Sequence, residues 1–176
     1  MGLFHAFRRS AGSLVLLALV AAVLLRPWEW ESPWQPAPAG AAWAHVTRAV
    51  DGDTIEVRLG GETADVRYIG VDTPETVKPG TPVQCFGPRA SAFEHRTVEG
   101  HRVRLVTGVE PRDYYGRLLA YVWVDGRPHP RFLEAELLRR GLARTLTFHP
   151  NDRFATRFEG IAQNAARRGE GLWNAC

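Results

Sequence analysis

Hydrophobic and polar residues alternate with period two along several stretches after residue 42, which is the pattern of strands that bury one face. The clearest case has Ile55, Val57 and Leu59 separated by polar residues, and Gly60-Gly61 directly after it predicts a hairpin turn. In all, the alternation predicts five short strands, over residues 43–50, 54–59, 63–71, 101–107 and 117–124.

Three other stretches space their apolar residues three and four apart, which predicts helices. The first begins at Gly87-Pro88, because proline suits the first helical position, and it ends before Gly100. The others are predicted over residues 132–140 and 153–168. A helix inserted between the third and fourth of five strands predicts an α+β fold, a five-stranded barrel of the oligonucleotide-binding (OB) type with three α-helices packed on it.

The amino-terminal region has a different pattern. Arg8 and Arg9 precede an uncharged apolar run over residues 10–25, the order that is typical of an export segment. At about 16 residues the run is near the short limit for a membrane span. Ala37-Pro38-Ala39 offers a small-x-small cleavage pattern, so a cleaved signal peptide and an uncleaved anchor helix both stay open.

We therefore divide the chain into three parts: residues 1–26 as signal peptide or signal anchor, 27–42 as a linker rich in Pro, Ala and Trp, and 43–176 as the folded domain. In either case the positive end stays inside and the domain is exported. The expected location is secreted, periplasmic, or anchored to the membrane through residues 10–25.

Composition adds that the chain is a folded protein, with 45% hydrophobic and 23% charged residues. A formal net charge of +3 does not by itself argue for a nucleic-acid partner. Lys78 is the only lysine beside 21 arginines. Any phosphate site must therefore use arginine, whose planar fork suits bidentate contact.

The segment from Arg67 to Glu75 is the most informative, because it delivers an arginine and two carboxylates to the polar end of a strand. Arg67 and Asp72 are five positions apart, so in a regular strand they would point to opposite faces. If they share a site, the strand must bend or end near Gly70.

Taken alone, each acidic or basic residue near these turns is explained by ordinary turn structure. Taken together, they supply the groups needed for one kind of reaction. Asp53, Asp72 and Glu75 supply the oxygen ligands that Ca²⁺ and Mg²⁺ prefer. Arg67 and Arg117 supply two forks for phosphate oxygens. A metal ion, a carboxylate that accepts a proton from water and two arginines are sufficient for displacement at a phosphodiester.

Four motifs resemble the staphylococcal nuclease-like (thermonuclease) family, and the resemblance covers about residues 45–173. They are Asp-Gly-Asp-Thr at 51–54, Arg67 with Val-Asp-Thr-Pro-Glu at 71–75, Gly-Pro-x-Ala-Ser-x-Phe at 87–93, and Tyr-Gly-Arg-x-x-Ala-Tyr at 115–121. The resemblance implies a five-stranded barrel with three helices. It also implies a Ca²⁺-dependent nuclease that acts on DNA and RNA and leaves 3′-phosphate ends.

The resemblance further implies a role for each motif residue. Asp53 and Asp72 correspond to metal ligands, and the backbone carbonyl of Thr73 is a further ligand. Glu75 corresponds to the carboxylate that positions and deprotonates the attacking water. Arg67 and Arg117 correspond to the pair that holds the phosphate and stabilises its transition state.

The chain departs from the family pattern around the substrate. Tyr114 stands where the family has a basic residue, so one phosphate contact is expected to be missing. Residues 146–149 replace a segment whose tyrosines stack on the base, and Phe148 either stacks there or belongs to the core. Tyr115 keeps its place and is expected to touch base and phosphate. We expect the chemistry to survive while affinity or base preference shifts.

Cys85 and Cys176 are the only cysteines. An exported location permits a disulfide between them, which would stabilise the domain by roughly 4 kcal/mol in the chain-entropy description. Two free thiols are the alternative. The six histidines have no metal-ligand spacing, which argues against a zinc site or a histidine nucleophile.

Two other function classes compete with the nuclease hypothesis. One is a catalytically idle OB-fold module that binds single-stranded nucleic acid at the cell surface, and the other is a structural or interaction module. Loss of Glu75, Arg67 or Arg117 would favour the idle module, and all three are present.

Overall fold

The predicted barrel is present in the computed structural model, which describes residues 37–126 and 129–176. The described strands are β1 (Ala42–Ala49), β2 (Thr54–Leu59), β3 (Glu62–Tyr68), β4 (Gly70–Asp72), β5 (Arg102–Arg112), β6 (Leu118–Val124), β7 (Arg131–Phe132) and β8 (Arg144–Leu146).

Five of these strands close on themselves. Antiparallel pairing gives the order β3-β2-β1-β5-β6, and a parallel pair between β3 and β6 completes the barrel. In this closing pair Val66 lies opposite Leu118, Arg67 opposite Leu119 and Tyr68 opposite Ala120. The end of β3 therefore lies beside the start of β6, although about 50 residues separate them in the sequence.

The barrel interior is filled by the alternating apolar residues. Val46, Ile55, Val57, Val66 and Val103 are fully buried. The middle of β6 is buried on both faces, because one face lines the barrel and the other packs against helices. The largest buried side chains of the domain include Trp123, Tyr68, Phe132 and Phe158.

Four helices are described, namely α1 (Gly87–Val98), α2 (Leu133–Arg139), α3 (Ala155–Arg167) and the short α4 (Leu172–Ala175). Three of them confirm the predicted helices. The predicted second helix was wrong at its start, because Phe132 belongs to β7, where its ring stacks on Trp123 with centroids 4.2 Å apart. This tertiary contact overrides the apolar spacing that favoured a helix.

A two-stranded sheet lies beside the barrel, where β4 pairs with β8. The predicted third strand over residues 63–71 is thus two strands, β3 and β4, separated at Ile69. The predicted signal or anchor helix and most of the linker lie outside the described residues. In the part of the chain that is described, no helix is long and apolar enough to cross a membrane.

Candidate active site

The chain bends between β3 and β4, as the spacing of Arg67 and Asp72 required. Gly70 has φ +87°, a left-handed backbone that favours glycine. A Cβ atom on Gly70 would lie 2.5 Å from Cε2 of Phe158, so the packing also excludes a side chain here. Because of the bend, Nη2 of Arg67 lies 3.0 Å from Oδ1 of Asp72.

Arg67 braces this bend with most of its hydrogen-bond donors. Nη1 donates to the carbonyl oxygens of Tyr68 at 2.9 Å and Val71 at 2.8 Å. Nε lies 3.2 Å from Oδ1 of Asp53, in a salt bridge whose two side chains are mostly buried. With Nη2 bound to Asp72, one N–H of the guanidinium is left for a ligand.

Asp53 connects the turn before β2 to the segment after the bend. Its Oδ2 accepts hydrogen bonds from the backbone N–H of Thr73 at 2.7 Å and from the Thr73 hydroxyl at 2.9 Å. Asp53 and Asp72 therefore approach the same guanidinium from two segments of the chain.

The carboxylates near Arg67 repel one another when they are ionised. Burial and the negative charge of Asp53 raise the pKa of Asp51 to about 6. Burial and the charge of Asp53 also raise the pKa of Asp72, with a further contribution from Glu75, and Arg67 opposes the shift. A cation among these groups would relieve both the repulsion and the cost of burial.

The donor set fits a hard cation that keeps water ligands. Asp53, Asp72 and the Thr73 carbonyl provide oxygen atoms, the ligand type of Ca²⁺ and Mg²⁺. Among the described residues no three His, Cys, Asp or Glu side chains form a ready-made metal cluster. A metal held here would therefore complete its coordination with backbone oxygens and water.

Glu75 is held by the loop that follows it. Its Oε1 accepts hydrogen bonds from the backbone N–H groups of Thr76, Val77 and Lys78, at 2.8, 2.8 and 3.0 Å. Burial raises the pKa of Glu75, but these hydrogen bonds and the charge of Lys78 outweigh it, and the net pKa is lowered. The carboxylate is therefore ionised at neutral pH, and within the described residues its Oε2 makes no hydrogen bond.

Arg117 is positioned by Asp113, a residue that sequence reasoning missed. Oδ2 of Asp113 lies 2.7 Å from Nε of Arg117, and Oδ1 accepts the backbone N–H groups of Tyr115 and Arg117, each at 2.9 Å. The signal was an aspartate at the first position of a turn. In the described part of the chain, neither Nη of Arg117 has a hydrogen-bond acceptor, so both can donate to a ligand.

Most of the predicted site residues line one cleft of about 530 Å³. Its lining includes seven of the predicted residues: Asp53, Arg67, Asp72, Thr73, Glu75, Tyr115 and Arg117. Since β3 and β6 form the closing pair, the barrel itself places Arg67 near Arg117.

Tyr114 and Phe148 lie in an adjoining cavity of about 500 Å³ that shares Arg67 and Arg117 with the cleft. Tyr114 is 97% exposed and Phe148 is 67% exposed. The interpretation of Phe148 as a core residue is therefore wrong, because its ring lies at the surface.

Sequence reasoning also missed the two acidic residues that are fully buried within residues 37–126 and 129–176. Glu94 on α1 is fully buried and accepts a hydrogen bond from the hydroxyl of Tyr68. Glu134 on α2 is fully buried and accepts the backbone N–H of Val122 at 3.0 Å. Their apolar helical neighbours gave no sign that these charged residues point inward.

Cys85 and Cys176 form a disulfide, with Cα atoms 5.9 Å apart. The bridge confirms the predicted pairing and joins the segment before α1 to the chain end. Neither cysteine lines the cleft.

The closed barrel has carboxylates and two arginines at the end of its closing strand pair, which are the groups that hydrolysis of a phosphodiester requires. Residues 65–175 match the protein family described as staphylococcal nuclease homologues. The chain belongs to this family, which confirms the resemblance seen in its motifs.

Several curated proteins are similar over most of the chain. A thermonuclease of Staphylococcus intermedius is 36% identical over 167 residues, covering 93% of this chain and 96% of that protein. A thermonuclease of Staphylococcus hyicus is 34% identical over 168 residues, covering 94% and 97%. Endonuclease YncB of Bacillus subtilis is 40% identical over 129 residues, covering 72% of this chain and 59% of that protein.

Proposed function

We propose that this chain is an exported, calcium-dependent nuclease that hydrolyses phosphodiester bonds of DNA and RNA and leaves 3′-phosphate ends. The observation that carries the proposal is the convergence of two acidic segments and two arginines, from distant parts of the chain, on one cleft. The nuclease names of relatives that align over nearly the whole chain support the same activity.

Asp53, Asp72 and the Thr73 carbonyl are the proposed metal ligands. A bound Ca²⁺ would stabilise negative charge on the phosphate and favour ionisation of a coordinated water. The raised pKa values of Asp51 and Asp72 support a cation at this place, since both shifts come from burial first and from the negative charge of Asp53 second.

Glu75 is the proposed proton acceptor for the attacking water. Its Oε1 is fixed by three backbone N–H groups, which holds the carboxylate still, while Oε2 is left to bind water. The lowered pKa keeps it ionised at neutral pH. An ionised carboxylate within reach of water is the requirement for a general base.

The two arginines have different proposed roles at the phosphate. Arg117, fixed through Nε by Asp113, presents both Nη groups to the phosphate oxygens. Arg67 contributes its one remaining N–H and holds Asp53 and Asp72 in place. Donors fixed before the reaction stabilise a transition state best, and one such donor is typically worth about 10²–10³ in turnover.

The adjoining cavity is the proposed place of the base next to the scissile phosphate. Tyr115 lies beside Arg117, whose Cζ is 5.4 Å from the centre of the tyrosine ring. The exposed rings of Tyr114 and Phe148 offer flat faces on which a base stacks, for about 1–3 kcal/mol per base.

Export is supported by the apolar run after Arg8 and Arg9 and by the disulfide. Disulfides persist in oxidising compartments and are rare in the cytosol. The proposed location is secreted, periplasmic, or anchored to the membrane with the domain outside.

The test is incubation of the purified chain with single-stranded DNA in Ca²⁺ or in chelator. We expect cleavage only with the metal, and products that carry 3′-phosphate ends. Binding of the strand without cleavage in Ca²⁺ would contradict the proposal and favour the idle binding module.

A further inference from the structure

A second groove, of about 660 Å³, lies between α1 and the C-terminal end of α2. It shares no lining residue with the cleft or the adjoining cavity. Four arginines line it, Arg89 and Arg96 from α1 and Arg139 and Arg140 from the end of α2. We call it the arginine groove, and the proposed mechanism does not use it.

The two arginines of α1 are exposed. Within the described residues neither Arg89 nor Arg96 has an ion-pair partner. They are seven positions apart, which places them on the same side of the helix and about 10.5 Å apart along its axis. That separation matches about three nucleotides of a stacked strand, at about 3.4 Å each.

The two arginines of α2 are held in place by one buried carboxylate. Oε1 of Glu136 accepts from Nη2 of Arg139 at 2.9 Å and from Nε of Arg140 at 2.5 Å. Glu136 is 3% exposed, whereas both arginine side chains reach the surface. A guanidinium that is already fixed loses less entropy when it binds a phosphate.

The charge of the groove is unbalanced. Its four arginines face two carboxylates, Glu136 and Glu170, and Oε1 of Glu170 also lies 3.9 Å from Nε of Arg168. The whole chain has a formal net charge of only +3. Four arginines against two carboxylates leave a local excess of positive charge, as expected for a surface that binds an anion.

Aromatic rings lie beneath the guanidinium groups. Cζ of Arg89 is 5.2 Å from the ring centre of Phe86, and Cζ of Arg140 is 5.1 Å from that of Phe93. Phe86 has φ +70°, a conformation that costs a bulky residue energy and persists where its surroundings fix it. Basic groups interleaved with aromatic rings are typical of surfaces that bind nucleic acid strands.

We propose that the arginine groove binds the phosphate backbone of a second stretch of the nucleic acid, outside the catalytic cleft. Arginines on both walls of a concave groove fit a single strand, whereas a flat membrane surface reaches only the rims. The inference rests on the proposed nuclease function, because the bound strand is the substrate. A long substrate then engages cleft and groove together, and a dinucleotide engages the cleft alone.

The first test measures binding without cleavage. The full chain and its Arg89→Ala/Arg96→Ala variant are titrated with a labelled single-stranded oligonucleotide in chelator over a series of salt concentrations. We expect binding about tenfold weaker at low salt and a salt slope lower by about 1.4, since each single-strand phosphate contact contributes about 0.7. Arg58→Ala/Arg167→Ala removes the same charge from exposed positions outside the groove, and equal binding by both variants would overturn the proposal.

The second test separates this inference from the nuclease proposal. In Ca²⁺ the groove variant should hydrolyse a dinucleotide substrate at the unchanged rate, while its kcat/KM for long single-stranded DNA falls. If the unaltered chain cleaves nothing, the nuclease proposal fails and the binding comparison still decides the groove. If the Arg89→Ala/Arg96→Ala variant loses binding to vesicles containing phosphatidylserine but keeps oligonucleotide binding, the groove binds lipid headgroups. That result would overturn the proposal.

Discussion

At the scale of single residues, the two site arginines differ in what holds them. Arg67 donates to two carbonyl oxygens and forms ion pairs with Asp53 and Asp72, so its main role is to hold the bend and the two aspartates in place. Within the described residues the side chain of Arg117 donates one hydrogen bond, from Nε to Asp113, and its Nη groups donate none. We infer that Arg117 carries most of the charge stabilisation at the phosphate.

Removing the arginine that faces the phosphate, or the proposed base, should therefore nearly abolish turnover. For Arg117→Ala we expect a loss of at least about 10²–10³ in kcat, the typical value for a preorganised donor. Glu75→Gln should cause a comparable loss, because an amide accepts no proton from water. Cleavage rates and circular dichroism of both variants check this, and near-normal activity in both would show that the roles are wrong.

Asp113→Asn tests the positioning of Arg117. The amide keeps the shape but loses the ion pair, a charged hydrogen bond worth about 1.5–3 kcal/mol, so we expect kcat to fall by about tenfold or more. Asp125→Asn removes the same charge from a longer and more exposed pair, to Arg104 at 3.4 Å, and should leave kcat unchanged. Equal kcat in the two variants would show that Asp113 does not position Arg117 for catalysis.

At the scale of elements, the bend at Gly70 was predictable from the sequence. The elements that pack against the bend were not. The odd spacing of Arg67 and Asp72 required a bend, and a glycine between them marked its place. That β4 pairs with β8 and that Phe158 of α3 covers Gly70 depends on chain segments far along the sequence. Local periodicity contains no information on such contacts.

Gly70→Ala should therefore both destabilise the domain and disturb the site. The left-handed backbone alone costs an L-residue about 1–2 kcal/mol, and the new Cβ would also collide with Phe158. Gly60→Ala is the matched control, because Gly60 also has positive φ (+61°) but nothing within 4 Å of an added Cβ. Urea unfolding should show a larger loss of unfolding free energy for Gly70→Ala, and equal losses would contradict the packing argument.

At the scale of the whole molecule, the buried acids make stability depend on pH. Burial raises the pKa of Glu94 to about 8, helped by the charges of Asp53 and Asp51 and opposed by the hydroxyl of Tyr68 and by Arg131. The folded state thus holds a proton that the unfolded chain releases near pH 4.5. Stability is full below that pH and falls as pH rises towards about 8, by about 1.4 kcal/mol per unit.

Glu94→Gln should flatten this decline, since glutamine stays neutral at every pH. The unfolding free energy of the variant and of the unaltered chain should converge near pH 5 and diverge towards pH 8, with the variant more stable. Glu62→Gln, at the exposed start of β3, is the control and should leave the pH profile unchanged. Parallel profiles for Glu94→Gln and the unaltered chain would show that Glu94 does not titrate in this window.

The sequence by itself determined the five barrel strands, the three main helices, the bend and the motif residues of the site, because short-range periodicity and turn chemistry specify local structure. Only the tertiary structure decided that Asp113 orients Arg117, that Glu94 and Glu134 point inward, and that Phe132 leaves the helix to stack on Trp123. It also decided how the site assembles, since the parallel closure of β3 against β6 places Arg117 beside Arg67. Pairing between distant strands follows from the packing of the whole core, which no local pattern specifies.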